Sequence, residues 1–257
     1  MNADLTLALE LADLADRIST ERFRATDLVV ETKPDMTPVS EADTAIERAL
    51  RERLAAARPD HAVVGEEEGV QGSGDARWII DPIDGTKNFV RGIPIWGTLI
   101  GLEREGRTVV GVASAPALHR RWWAARGEGA FADGRPIHVS KVERLCDAQL
   151  SLASIESWAR HGRGPQIAKL TRKVWRSRGF GDFWQHTLVA EGAVDVAVEP
   201  EVNLWDLAAL QVIVEEAGGQ FTDLDGAARA DGGNVATTNG LLHDEILAVL
   251  RAGPAGT

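Results

Sequence analysis

The sequence predicts a mixed α/β (α+β) fold in one closely packed unit, with an N-terminal α+β lobe over about residues 1–148 and a C-terminal α/β lobe over about 149–257. Two amphipathic helical patterns open the chain, apolar runs separated by hairpin turns fill its middle, and strands alternate with helices after about residue 150. The 257 residues are 44% hydrophobic, enough for a substantial core. No repeat, low-complexity tract or linker divides the halves, so the two lobes are expected to share an interface.

Leu7, Leu11, Leu14 and Ile18 recur at helical spacing and predict a first helix. A second is expected from about Pro38 to Ala57, with Pro38 in its first turn and Ala42, Ile46, Ala49, Leu50 and Leu54 facing inward. The short strand HAVVG and the segment RWIIDPID follow, and then a meander whose turns are EREGR, ARGEG and ADGRP. In the second half the expected order is strand LSLAS, a helix near Gln166 to Val174, a short helix within GFGDFWQHTLVAEG ended by Gly192, and strand VDVAVE. A helix WDLAALQVIVEEAGG stopped by Gly218-Gly219, two strands around a Gly-rich turn and a final helix complete the chain, before a frayed tail RAGPAGT.

A net charge of −11 without a local basic patch argues against nucleic acid or an anionic membrane as partner. A single cysteine, Cys146, excludes an internal disulfide framework and a thiolate zinc cluster. The acidic first helix lacks the pattern of a signal peptide or membrane span, and a cytoplasmic location is expected. Phosphate loops of the Walker type, H-E-x-x-H and G-x-S-x-G are absent from the sequence. Gly127, Gly129 and Ala132 loosely fit a dinucleotide fingerprint but follow a hairpin-like stretch with no helix opening from it. The six histidines are scattered without ligand spacing and are read as surface or packing residues.

Four acids stand where a carboxylate is awkward unless used: Glu66 after AVVG, Asp81 and Asp84 at the end of RWII, and Asp206 entering an apolar helix. Each also has a plain structural explanation. Glu66-Glu67-Glu68 fits a solvated turn, Asp84-Gly85 a tight turn, and Asp206 a first-turn acid favoured by the helix dipole. Jointly they form an oxygen-only donor set, the kind that Mg²⁺ prefers. Two or three ions sharing them at about 3.5–4 Å would suit phosphate ester hydrolysis. If GTKNFV opens a helix, the N–H groups of Gly85 and Thr86 would face an anion, and Thr86 with Asp43 would orient water. Asp43 also completes a Ser40-x-x-Asp43 capping box.

In order, KPDMTPVSEAD, GEEEG, WIIDPIDGTKNF and WDLAALQVIVEEAGG resemble the motifs of the inositol monophosphatase family of Mg²⁺-dependent phosphomonoesterases, over nearly the whole chain. The resemblance implies a layered αβαβα sandwich, usually dimeric, inhibited by Li⁺ and acting by direct attack of a metal-activated water. It implies Glu66, Asp81, Asp84, Asp206 and the carbonyl of Ile83 as metal ligands. Thr86, Asp43 and Glu66 would position the water, Gly85 and Asp206 would contact substrate, and Lys33 would lie near the site at the base of a mobile loop.

The stretch RSRGFGDFWQH is similar to the histidinol-phosphatase branch of that family. Histidinol phosphate carries an ammonium and an imidazole, which suit an acid and aromatic faces, so Gly181 and Asp182 with Phe183 and Trp184 are expected at its pocket. Asp182 as a simple helix cap is the competing reading. Glu199 matches a substrate-contact acid of the family, and Arg178 is a candidate contact from across a dimer interface. An inositol-1-phosphatase with the same metals is the nearest rival, and a non-catalytic metal-binding regulator is a rival of another class.

Overall fold

A computed structural model describes residues 2–34, 36–152 and 154–251; the expected frayed tail lies outside the described residues from position 252 onward. An eight-stranded sheet and a five-stranded sheet are stacked between three layers of helix. The first layer is α1 (Ala3–Arg22) and α2 (Glu41–Ala57), whose Leu7, Leu11, Ile46, Leu50 and Leu54 pack with Trp78, Ile80 and Ile83 of the large sheet. Full burial of such side chains is worth roughly 1.5–3 kcal/mol each, which anchors both helices.

Between α1 and α2 the chain forms a hairpin of β1 (Val30–Thr32) and β2 (Pro38–Ser40). This corrects the expected start of the second helix. Pro38 is opposite Thr32 in an antiparallel ladder, and Ser40 caps α2 through a capping box with Asp43. The inner face also differs from a purely apolar stripe, because Ala49 is half-buried while Asp43, Glu47 and Arg51 are buried.

The large sheet runs in the order β10-β9-β8-β7-β6-β5-β3-β4. Its strands are β3 (Ala62–Gly65), β4 (Gly69–Gln71), β5 (Ala76–Asp84), β6 (Gly97–Arg104), β7 (Arg107–Ala115), β8 (Arg120–Ala125), β9 (Gly129–Ala132) and β10 (Arg135–Pro136). Gly127 and Gly129 belong to the β8–β9 hairpin, so the loose dinucleotide fingerprint has no helix behind it. A short helix, α3 (Thr86–Val90), leaves the end of β5.

The small sheet, order β12-β11-β13-β15-β14, holds β11 (Gln149–Leu152), β12 (Arg176–Arg178), β13 (Val196–Glu199), β14 (Gln220–Thr222) and β15 (Val235–Thr238). Its outer face carries α4 (Ile155–Arg160), α5 (Gly164–Lys173) and α8 (His243–Arg251) through Trp158, Ile167, Leu170 and Ile246. The middle layer is α6 (Asp182–Ala190) and α7 (Leu204–Glu216), packed through Phe183, Leu210 and Ile213 against Leu99, Ala113 and Trp122 of the large sheet. The sequence pattern did not separate β1, β2, β4, α4 or β12, all of them short. No helix among the described residues is long and apolar enough to cross a membrane.

Candidate active site

The site forms where β5 ends against the starts of α6 and α7. Along a strand, side chains alternate faces, so residues three apart should point oppositely. Trp78 and Ile80 face the α1–α2 core while Ile79 faces Ala208 of α7. Between Asp81 and Asp84 the pairing of β5 with β6 shifts register. Pro82 has no N–H for the ladder, and its carbonyl instead accepts the Thr98 hydroxyl at 2.8 Å. The irregularity returns Ile83 to the α1–α2 core and leaves Asp81 and Asp84 on the same side, facing the middle layer.

Asp206 joins them from the first turn of α7, and one carboxylate oxygen from each of the three lies within 4.8 Å of the others. The expected first-turn role of Asp206 is present as well: its Oδ2 accepts the Asn203 N–H at 2.7 Å, completing a capping box. Burial above all, and then neighbouring acids, push Asp81 and Asp84 well above the usual carboxylate range. Burial, opposed by the Asn203 N–H, raises Asp206 to about 7. Asp81 Oδ1 is buried with no hydrogen-bond partner. Clustered, desolvated carboxylates with an unmet oxygen fit a hard divalent cation, and the cluster can hold a metal ion.

A cavity of about 520 Å³ opens over this cluster, lined among others by Lys33, Glu66, Gly85, Thr86, Asp182 and Trp205. Lys33 Nζ sits 2.7 Å from both Glu66 Oε1 and Glu67 Oε1. Burial works against its charge, but the two glutamates outweigh that and hold the ammonium above the usual lysine range. The Thr86 hydroxyl lies 2.9 Å from the Ile83 carbonyl and 3.2 Å from Asp43 Oδ1. Asp43 Oδ2 takes the Ser40 N–H at 2.8 Å, so one oxygen caps α2 and the other faces Thr86. Gly85 has φ +83°, and a Cβ there would stand 3.0 Å from the Ile95 carbonyl, which is why glycine occupies this turn.

A second cavity of about 180 Å³ adjoins the first, with Asp84, Asp182 and Asp206 in both walls and Phe183, His186, Glu199, Glu201 and Val202 completing it. Gly181, with φ +72°, is the N-cap of α6, so Asp182 is not a cap. Asp182 holds an uncommon φ of +49°, accepts Asn88 Nδ2 at 3.1 Å, and is raised to about 6 by burial and then by Glu199. Phe183 is a buried wall residue. Trp184 instead stacks edge-on against Phe180 and lines neither cavity, which corrects the expectation of two aromatic faces in the pocket. Arg178 is exposed on β12, donates to the Ser177 carbonyl and lines neither cavity in this chain.

Sequence reasoning passed over His186 and the pair Glu47–Arg51. His186 falls four residues after Asp182, on the same helical face, and that spacing was the available signal. Glu47 and Arg51 are likewise four apart on the buried face of α2, where charge on an apolar stripe marks a partner.

The inositol monophosphatase family model matches residues 2–254. The chain is 56% identical to the histidinol-phosphatase of Mycobacterium tuberculosis, over 97% of this chain and 98% of that protein. It is 54% identical to the histidinol-phosphatase of Streptomyces coelicolor, over 96% of each. Among solved structures, the extragenic suppressor protein suhB from Bartonella henselae is similar with a TM-score of 0.91 at 30% identity, over 98% of this chain and 100% of that one.

Proposed function

Because the chain belongs to the inositol monophosphatase family, we propose that it is a Mg²⁺-dependent phosphomonoesterase that converts L-histidinol phosphate and water to L-histidinol and phosphate. The observation that carries this reading is the meeting of Asp81, Asp84 and Asp206 at the junction of two cavities, the smaller walled by Asp182, Glu199 and Glu201. Full-length similarity to relatives named histidinol-phosphatase supports the same substrate.

Glu66, Asp81, Asp84, Asp206 and the Ile83 carbonyl would hold two or three Mg²⁺ ions. Bound there, the ions would neutralise the phosphate and stabilise charge on the attacking and leaving oxygens. The phosphate end of the substrate lies in the larger cavity beside Gly85 and Thr86. The Thr86 hydroxyl has one proton and two acceptors, Asp43 Oδ1 and the Ile83 carbonyl. With that proton donated in a hydrogen bond to Asp43 Oδ1, the hydroxyl's lone pairs accept from the attacking water and aim it. Glu66 helps position the same water, and Lys33 bridges Glu66 and Glu67 at the cavity rim.

At the other end, the ammonium and imidazole of histidinol phosphate meet the carboxylates of Asp182 and Glu199. Gly181 sets the backbone that presents Asp182. Inositol-1-phosphate carries no cation to match them. The family resemblance further supports a cytoplasmic homodimer, inhibition by Li⁺, and a contact by Arg178 across the dimer interface.

The test is phosphate release from histidinol phosphate and from inositol-1-phosphate at equal concentration with Mg²⁺. Faster release from histidinol phosphate is expected. The opposite order would move the assignment to an inositol-1-phosphatase, and no release from either would leave a metal-binding regulator.

A further inference from the structure

Glu199 has one oxygen held and one left over. Its Oε1 lies 3.0 Å from His186 Nε2 and also accepts the side-chain amide of Gln185, while no described residue donates to Oε2. Both donors are themselves fixed from behind. His186 Nδ1 is 2.9 Å from the Thr237 hydroxyl of β15, and Gln185 Oε1 accepts the Ser151 hydroxyl of β11 at 2.9 Å. Ser151, Gln185, His186 and Thr237 are all buried. Two strands, acting through one helix, therefore converge on a single carboxylate oxygen of a third strand.

We propose that His186, together with Gln185, is a positioning residue for substrate specificity: it locks Glu199 so that only Oε2 remains to take a cationic group in the 180 Å³ cavity. The proposal rests on the histidinol-phosphate reading of the site. A glutamate has three rotatable side-chain bonds, and a free one would lose that freedom when a ligand arrives. Here the rotamer is chosen during folding, so the cost is not charged against binding. The tether also decides direction. With Oε1 occupied by two donors, a third donor has one place to go, and the carboxylate plane is set by His186 in the cavity wall and Gln185 behind it, both held by Thr237 and Ser151, which line neither cavity.

The arrangement assigns a tautomer. Nε2 carries the proton that Glu199 accepts, which leaves Nδ1 as acceptor for the Thr237 hydroxyl. Replacing Thr237 by valine removes that hydroxyl at nearly constant shape and leaves the imidazole free to carry its proton on the other nitrogen. It thus perturbs Glu199 without touching the cavity wall.

The experiment measures kcat/KM for histidinol phosphate divided by kcat/KM for p-nitrophenyl phosphate, which has no cation. In His186→Leu this ratio is expected to fall about tenfold, chiefly through KM for histidinol phosphate. Thr237→Val should lower it in the same sense, and His186→Gln, which restores a donor within reach of Oε1, should recover most of it. In a Glu199→Gln background, adding His186→Leu should change the ratio less than twofold. An unchanged ratio in both His186→Leu and Thr237→Val, or losses that add fully to that of Glu199→Gln, would overturn the proposal. If His186→Leu fails to fold, Thr237→Val and Gln185→Leu carry the same comparison. Should the wild-type enzyme favour inositol-1-phosphate, the substrate reading fails. The cycle, run with that substrate, still reports whether His186 acts through Glu199.

Discussion

Asp84 Oδ2 accepts the backbone N–H of Phe183 at 2.6 Å, so a carboxylate of the acidic cluster also caps the first turn of α6, ninety-nine residues further along the chain. That N–H is one of the donors a helix start leaves unpaired. The site and the packing of the middle layer therefore share one atom.

Asp84→Asn keeps an oxygen acceptor for Phe183 and removes a charge that burial and the neighbouring acids Asp182 and Asp206 disfavour. Its Tm in chelator should equal or exceed that of the wild type, while the rise in Tm on adding Mg²⁺ shrinks. Turnover should fall roughly 10²–10³-fold. Asp84→Ala, which leaves the Phe183 N–H unpaired, should be less stable than Asp84→Asn by about 1 kcal/mol. Thermal scans with and without Mg²⁺ read both effects, and equal stability of the two variants would remove the capping role.

Thr86→Ala should lower kcat about 10²-fold, since the hydroxyl is proposed to aim the water. The fold should lose only about 1 kcal/mol, the worth of an ordinary hydrogen bond. Thr86→Ser should retain most activity. Steady-state kinetics of the two variants decide the matter, and near-normal turnover in Thr86→Ala would sink the role of that oxygen.

Glu47 is fully buried and holds the turn that carries Glu66. Its Oε2 accepts the Glu67 N–H at 2.8 Å, and its Oε1 accepts the Glu68 N–H at 2.9 Å and Arg51 Nη2 at 2.7 Å. A Cβ on Gly65 would lie 2.1 Å from that Oε1. Glu47→Ala removes the buried partner of the Arg51 guanidinium, which keeps the Gly69 carbonyl at 2.6 Å and Glu68 at 3.5 Å, and unpairs two backbone N–H groups, so it should cost about 3 kcal/mol in urea unfolding. Gly65→Ala should cost about 1–3 kcal/mol by crowding. Both should raise the Mg²⁺ concentration needed for half-maximal activity. Arg53→Ala, which breaks only the exposed pair with Glu10, should stay within about 0.5 kcal/mol.

Burial lowers the pKa of the His243 imidazole from 6.5 to about 4, and the ring rests between the Thr222 and Thr238 hydroxyls. The unfolded chain binds the proton near pH 6.5, the folded one only near 4. This contribution to stability is therefore complete above about pH 6.5 and is lost as pH falls toward 4. Solvent screening leaves it on the order of 2 kcal/mol. Urea unfolding at several values between pH 7.5 and 4.5 should show a shallower slope in His243→Gln than in the wild type. Parallel slopes would exclude His243 as the titrating group.

The chain order of helices, hairpins and strands was legible because helical and strand periods and turn residues are local properties. EREGR, ARGEG and ADGRP became the turns β6–β7, β8–β9 and β9–β10. Short elements without a full period, such as the β1–β2 hairpin, were not legible, and Pro38 fits a helix start by a preference it shares with strand edges. Two local roles are compatible with the site they compete with. Asp43 and Asp206 each complete a capping box with one oxygen, and each still reaches the cavity region with its carboxylate.

Residue chemistry was open to inspection in the linear chain: oxygen donors without thiols, a threonine next to a turn glycine, an acid beside aromatic residues. Their geometry was not. Asp81 and Asp84 share a face only because the pairing with β6 slips at Pro82. Asp206 meets them only because α7 packs on the large sheet, and His186 reaches Glu199 only because α6 lies over β13 and β15. Each of these depends on which surfaces bury one another across long stretches of chain, a choice made by the whole core at once and carried by no single segment.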